Sequence, residues 1–172
     1  MKSETIQYNL VWLGSSRDRI CRVRWNALRQ ALHERWIESA FVVIQCGAVP
    51  VFADIDLETR LIDPEAVRGK IGPRTRCVIT VHMSGMPCDM DTFMALGAET
   101  GVKILEDCAQ AHGARYKGRR CGGMGDAGAF SFYFTKNLGA FGDAGAVTSS
   151  DEELLERAQI AAPKAIKHLM NR

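Results

Sequence analysis

The 172 residues are 47% hydrophobic and 24% charged, the composition of a soluble globular domain long enough to build a core. A formal net charge of +2, without runs of like sign, gives no footing for nucleic acid, and no eighteen-residue apolar stretch argues for a membrane span. Six scattered cysteines, with no C-x-x-C pair and no zinc-like histidine spacing, read as reduced thiols of a cytoplasmic protein and not as a metal site or disulfide framework.

Residues 1–35 differ from the rest. All three tryptophans lie at or before position 36, and RDRICRVRWNALRQALHER is rich in arginine. The apolar patch in MKSETIQYNLVWLG is too short for a signal peptide. Val23, Ala27, Leu28, Ala31, Leu32 and Trp36 recur at helical spacing, which predicts an amphipathic helix with a solvated basic face.

From Ala40 the pattern steadies. Ala40 to Cys46 reads as the end of a helix stopped by Gly47, and Val49 to Ala53 as a strand. Asp63 followed by Pro64 is an N-cap and first-turn pair, predicting a helix to Ile71 that ends at Gly72 and Pro73. Cys77 to His82 is a further strand, and a lone His82 at its end reads as structural. Asp89 or Asp91 caps a helix over 92–100 closed by Gly101, and Lys103 to Asp107 is the next strand. The glycine-rich stretch after Asp107 reads as an irregular loop. Ala127 to Tyr133 and Val147 to Ser149 read as strands, and a capping box over 150–153 starts a last helix running to about Ala162. Strands alternating with helices predict an α/β fold, a mostly parallel sheet flanked by helices.

Two of these apolar runs end in reactive side chains. Ile104 and Leu105 lead into Glu106 and Asp107, and the run from Ala127 leads into Thr135 and Lys136. Ligands of open α/β sheets collect where strands end, so an acid and an amine at two such ends can face one small molecule. Lys136 lies among apolar residues, and partial desolvation favours the neutral amine that forms Schiff bases. An aldehyde cofactor with a pyridine ring also needs a carboxylate on the ring nitrogen, a role for Asp107. Ser131 can donate to a phosphate, and Gly139, Gly142 and Gly145 allow close backbone approach. His112 is a weaker candidate as a proton shuttle, and Arg119 and Arg120 read as solvated loop cations.

The segments EDCAQAHGARYKGRRCGGMGDAGAFSFYFTKNLGAFGDAGAV and VPVFADID closely resemble the DegT/DnrJ/StrS aminotransferases, pyridoxal-phosphate enzymes of fold type I that aminate keto-sugars and cyclitols. The resemblance implies that Lys136 bonds covalently to pyridoxal 5'-phosphate, Asp107 meets the pyridine nitrogen, Gln110 contacts the cofactor, Ser131 binds its phosphate and Trp36 lies over its ring. It further implies glutamate or glutamine as amino donor, a nucleotide-linked keto-sugar or keto-cyclitol as acceptor, and a homodimer with active sites at the interface. Residues 36–172 then form part of the cofactor-binding large domain, while 1–35 lack the phosphate-holding loop of the family and a small C-terminal domain is missing. On that account a truncated non-catalytic remnant, or a protein that binds cofactor without turnover, is the alternative to a working transaminase.

Overall fold

Backbone chemistry sets the helix boundaries in the computed structural model, which describes residues 9–13, 38–141 and 144–158. Helix α1, Glu38–Gln45, ends before Gly47, whose φ of 72° is the left-handed conformation that glycine adopts without steric cost. In α2, Pro64–Arg68, the Asp63 carboxylate accepts the Glu65 N–H at 2.9 Å. This helix is shorter than the expected run to Ile71, because Lys70 and Ile71 switch to tighter bonds three residues back, onto Val67 and Arg68. Helix α3, Met90–Thr100, is capped by Asp89, which accepts from the Thr92 hydroxyl at 2.6 Å, and closed by Gly101 at φ 74°. Asp91 instead pairs with Lys117 and Arg119. The last helix, α4 over 152–158, is capped by Asp151 at 3.1 Å from Leu154 N, one residue later than Ser150. The helix expected around 23–36 lies outside the described residues.

The main sheet has six strands in the order β2-β1-β3-β4-β7-β8. These are β1 (Asn9–Leu13), β2 (Val49–Ala53), β3 (Thr75–Val81), β4 (Lys103–Asp107), β7 (Ala127–Ser131) and β8 (Gly145–Thr148). Strands β3, β4 and β7 pair in parallel, and β2 runs the same way because β1 is antiparallel to both β2 and β3. The mostly parallel α/β reading therefore holds, with β1 and β8 running against the others. Strand β1 was not predicted: a lone run of five residues, although followed by Gly14, Ser15 and Ser16, carries no local sign of the partners it pairs with on both sides. Strand β7 stops at Ser131, short of Tyr133. The loop after Asp107 also contains a hairpin, β5 (Arg115–Tyr116) and β6 (Arg119–Arg120), whose turn has Lys117 at φ 48° and Gly118 at φ 83°. Two successive positive φ values match the right-handed twist of the flanking strands, and glycine supplies one of them freely.

Helices cover both faces. On one, Ala40 and Val43 of α1 pack against Cys77 and Ile79, with Val81 and Leu105 beside them. On the other, Val67 of α2 and Met90, Phe93 and Leu96 of α3 pack against Val78 and Ile104. Phe93 is fully buried, and its burial contributes about 1.5–3 kcal/mol.

Strand β7 also has a tight backbone contact. A Cβ on Gly128 would sit 2.5 Å from Gly122 Cα and 2.6 Å from Thr148 Oγ1. Only a bare backbone lets the segment around Gly122 lie against β7. Gly128→Ala should therefore lower unfolding stability by at least about 2 kcal/mol, measured by chemical denaturation. An unchanged midpoint would show that this approach is looser than the structure requires.

Candidate active site

Side chains alternate across a strand, so the adjacent acids that end β4 point to opposite faces of the sheet. Glu106 is fully buried and lies in register with Thr80 and Gly128, on the α2–α3 side. Its Oε1 accepts the N–H groups of Met124 and Gly125, each at 2.7 Å, and its Oε2 accepts Gly122 N–H at 2.8 Å. His82 contributes the fourth bond: its Nδ1 accepts Cys88 N–H at 3.1 Å, so the ring proton sits on Nε2 and is donated to Oε2 at 3.0 Å. Burial pushes the Glu106 carboxyl upward, but the bonds from His82 and the three backbone N–H groups outweigh it and hold the group below the usual carboxylate range. His82, Glu106 and Cys108 bring metal-ligating atoms within 4.8 Å of one another, yet both Glu106 oxygens and both His82 nitrogens are already committed to protein partners. The cluster is a closed structural network, in keeping with the structural reading of His82.

Asp107 is in register with Val81 and Ala129, on the α1 side, and alternation puts Ser131 on that same face. Both residues end parallel strands, so they share the carboxyl-terminal end of the sheet as well as one face. Asp107 Oδ2 accepts the Ser39 hydroxyl of α1 at 2.8 Å, and Oδ1 accepts Ala109 N–H at 3.0 Å. A carboxylate offers about four acceptor positions, so half of its capacity is left. Among the described residues no cation pairs with it. Ser131 Oγ accepts Tyr133 N–H at 3.3 Å, which leaves its own proton to donate. Gln110 reaches the end of the neighbouring strand β3: its Oε1 accepts Ser84 N–H at 2.8 Å, in a turn where Ser84 has φ 53°.

Lys136 lies in the turn that follows Ser131. Its N–H bonds Tyr133 O and Ala140 N–H bonds Phe132 O, each at 2.8 Å, so the segment folds back on itself. The Lys136 side chain is half-buried, and among the described residues its amine has no hydrogen-bond or ion-pair partner. Exposed Tyr133, Phe134 and Leu138 surround it in sequence. His112 packs between the rings of Phe130 and Phe132, at 5.7 and 5.4 Å between centroids, with both ring nitrogens buried and unpartnered. Arg119 is tied to Asp91, although exposed as expected. Trp36 and Gly142 lie outside the described residues. The thiols of Cys77 and Cys88 are pushed up to about 12, chiefly by burial, and are poor nucleophiles near neutral pH.

Sequence reasoning missed Ser39 and the part played by Glu106. Nothing in the spacing marks Ser39, since its partner lies 68 residues away. A signal for Glu106 was present: an acid in a buried strand needs donors, and Gly122, Gly123 and Gly125 are backbone that can approach it. Glu106→Gln puts an amide N–H against donors and should cost about 3 kcal/mol or more at pH 7. A carboxyl depressed on folding stabilises fully above its unfolded value, about 4.3, and loses that contribution as the pH falls through the folded value. The stability gap between the two proteins, read from denaturation at several pH values, should therefore shrink only below about pH 4. A gap that is absent at pH 7 would contradict the network.

Residues 34–169 match the model of the DegT/DnrJ/EryC1/StrS aminotransferase family. The chain is 47% identical over 115 residues to dTDP-3-amino-3,4,6-trideoxy-alpha-D-glucose transaminase of Micromonospora megalomicea subsp. nigra, covering 67% of this chain and 31% of that protein. It is 41% identical to L-glutamine:2-deoxy-scyllo-inosose aminotransferase of Streptoalloteichus tenebrarius, covering 71% and 28%. Among solved structures it matches S. venezuelae DesV in complex with a ketimine intermediate, with TM-score 0.69, 48% identity, and coverage of 72% of this chain and 33% of that one. The chain thus spans about a third of the length of these relatives, and its sheet corresponds to part of the large domain of fold-type-I aminotransferases. The chain belongs to the DegT/DnrJ/EryC1/StrS aminotransferase family.

Proposed function

We propose that this protein acts as a pyridoxal-phosphate-dependent aminotransferase, passing an amino group from glutamate or glutamine to a nucleotide-linked keto-sugar or a keto-cyclitol. The observation that carries this reading is that Asp107 and Ser131 share one face at the carboxyl-terminal end of the sheet, followed in the chain by Lys136, whose amine has no partner among the described residues. The residues fit the cofactor by their donor chemistry: an acid with spare acceptor positions, a hydroxyl with a free proton, and a lysine engaged by no acid among the described residues. The relatives' names, a dTDP-sugar transaminase and a glutamine:cyclitol aminotransferase, support the substrate class.

When bound, the cofactor supplies an electron-accepting ring and an aldehyde that an amine can capture. Asp107 would hold the proton on the ring nitrogen, Ser131 would donate to the phosphate, Gln110 would contact the cofactor, and Trp36 would be the aromatic residue over the ring. Lys136 would hold the cofactor through its aldehyde; once the donor's amine had displaced it, its freed Nζ would be the base that takes the proton from the α-carbon of the donor and the acid that returns one to the carbon of the acceptor. A second copy of the chain completes the site in a homodimer.

Incubation of the full chain with pyridoxal phosphate, borohydride reduction and peptide mapping tests this reading. The expected adduct is on Lys136, absent in Lys136→Ala, and glutamate should convert the bound cofactor to its amine form. Labelling spread over surface lysines would contradict the site, and a Lys136 adduct unaffected by glutamate or glutamine would mean cofactor binding without transamination.

A further inference from the structure

We propose that Ser39 is a positioning residue for Asp107, its hydroxyl orienting the carboxylate toward the cofactor's ring nitrogen; this rests on the cofactor reading above. Ser39 lies in the first turn of α1 and donates to Asp107 Oδ2 at 2.8 Å, while Ala109 N–H holds Oδ1 at 3.0 Å. One donor comes from the helix over this face and the other from the loop beyond β4. Gripping both oxygens from different elements fixes the carboxylate plane, which a single bond would leave free to rotate. Among the described residues, Ser39 is the one side chain that donates to Asp107.

The contrast with the neighbouring acid shows why this grip is suited to a ligand. Glu106 accepts four bonds and is saturated, whereas Asp107 accepts two and keeps acceptor positions for a further donor. Hydrogen bonds that involve a charged group are the stronger kind, so the Ser39 bond can hold the carboxylate's direction while each oxygen keeps an acceptor position. α1 has its own packing through Ala40 and Val43, so anchoring this helix does not depend on the hydroxyl.

The test compares pyridoxal phosphate with its 1-deaza analogue, in which a C–H replaces the ring nitrogen, by equilibrium binding to the full chain. If Ser39 acts through Asp107 on that nitrogen, Ser39→Ala weakens pyridoxal phosphate about tenfold and the analogue by less than about twofold, while Ser39→Thr keeps the original affinities. Ser39→Cys, a weaker donor of similar shape, should give an intermediate loss with the same selectivity, and it keeps the test open if the alanine variant does not fold. Equal weakening of both ligands, or of neither, overturns the proposal and leaves Ser39 as packing. Failure of the unmodified chain to bind pyridoxal phosphate overturns the cofactor reading itself, and this inference with it.

Discussion

The buried carboxylate of Glu106 is the interaction on which the architecture around the site depends. Taking such a charge out of water costs several kcal/mol, and four hydrogen bonds to a charged acceptor, at about 1.5–3 kcal/mol each, offset it. Three of those bonds come from the backbone of Gly122, Met124 and Gly125, so they also fix a loop that would otherwise have no regular structure. That loop lies against Gly128 of β7 at a spacing no side chain would allow. Through His82 the same carboxylate ties in the end of β3. One acid thus ties the carboxyl ends of β3 and β4 to the loop that leads into β7.

Because β4 alternates, fixing Glu106 on one face delivers Asp107 to the other with nothing further required. The two acids share a chain segment and differ in surroundings: one is enclosed and saturated, the other half-buried with acceptor positions left. Pairs of carboxylates whose environments are set apart in this way divide structural from chemical work. The parallel register sets Asp107 beside Ala129, so Ser131 lies two residues further along the same face of β7, and the turn carrying Lys136 follows.

The strands and caps from Ala40 onward were legible because each rests on a local signal: Gly47 and Gly101 at left-handed positions, Asp63 before Pro64, and apolar runs bounded by turn residues. Asp107, Gln110, Ser131 and Lys136 were legible as candidates through motif resemblance, since strand ends carrying such groups are few. What remained hidden is non-local. β1 becomes a strand only by pairing between β2 and β3, and Ser39 meets Asp107 across the fold. The length of α2 turned on a switch in bonding at Lys70, and the hairpin after Asp107 on a Lys-Gly turn inside a stretch that looks irregular by composition.

The central claim is that Asp107, held apart from the Glu106 network, keeps a proton on the ring nitrogen of a bound pyridoxal phosphate. Ring-15N-labelled cofactor bound to the full chain would report that proton directly by nitrogen NMR. The account predicts a pyridinium-type chemical shift in the unmodified protein and a neutral-pyridine shift in Asp107→Asn. A neutral shift in the unmodified protein, or the same pyridinium shift in both, would contradict it.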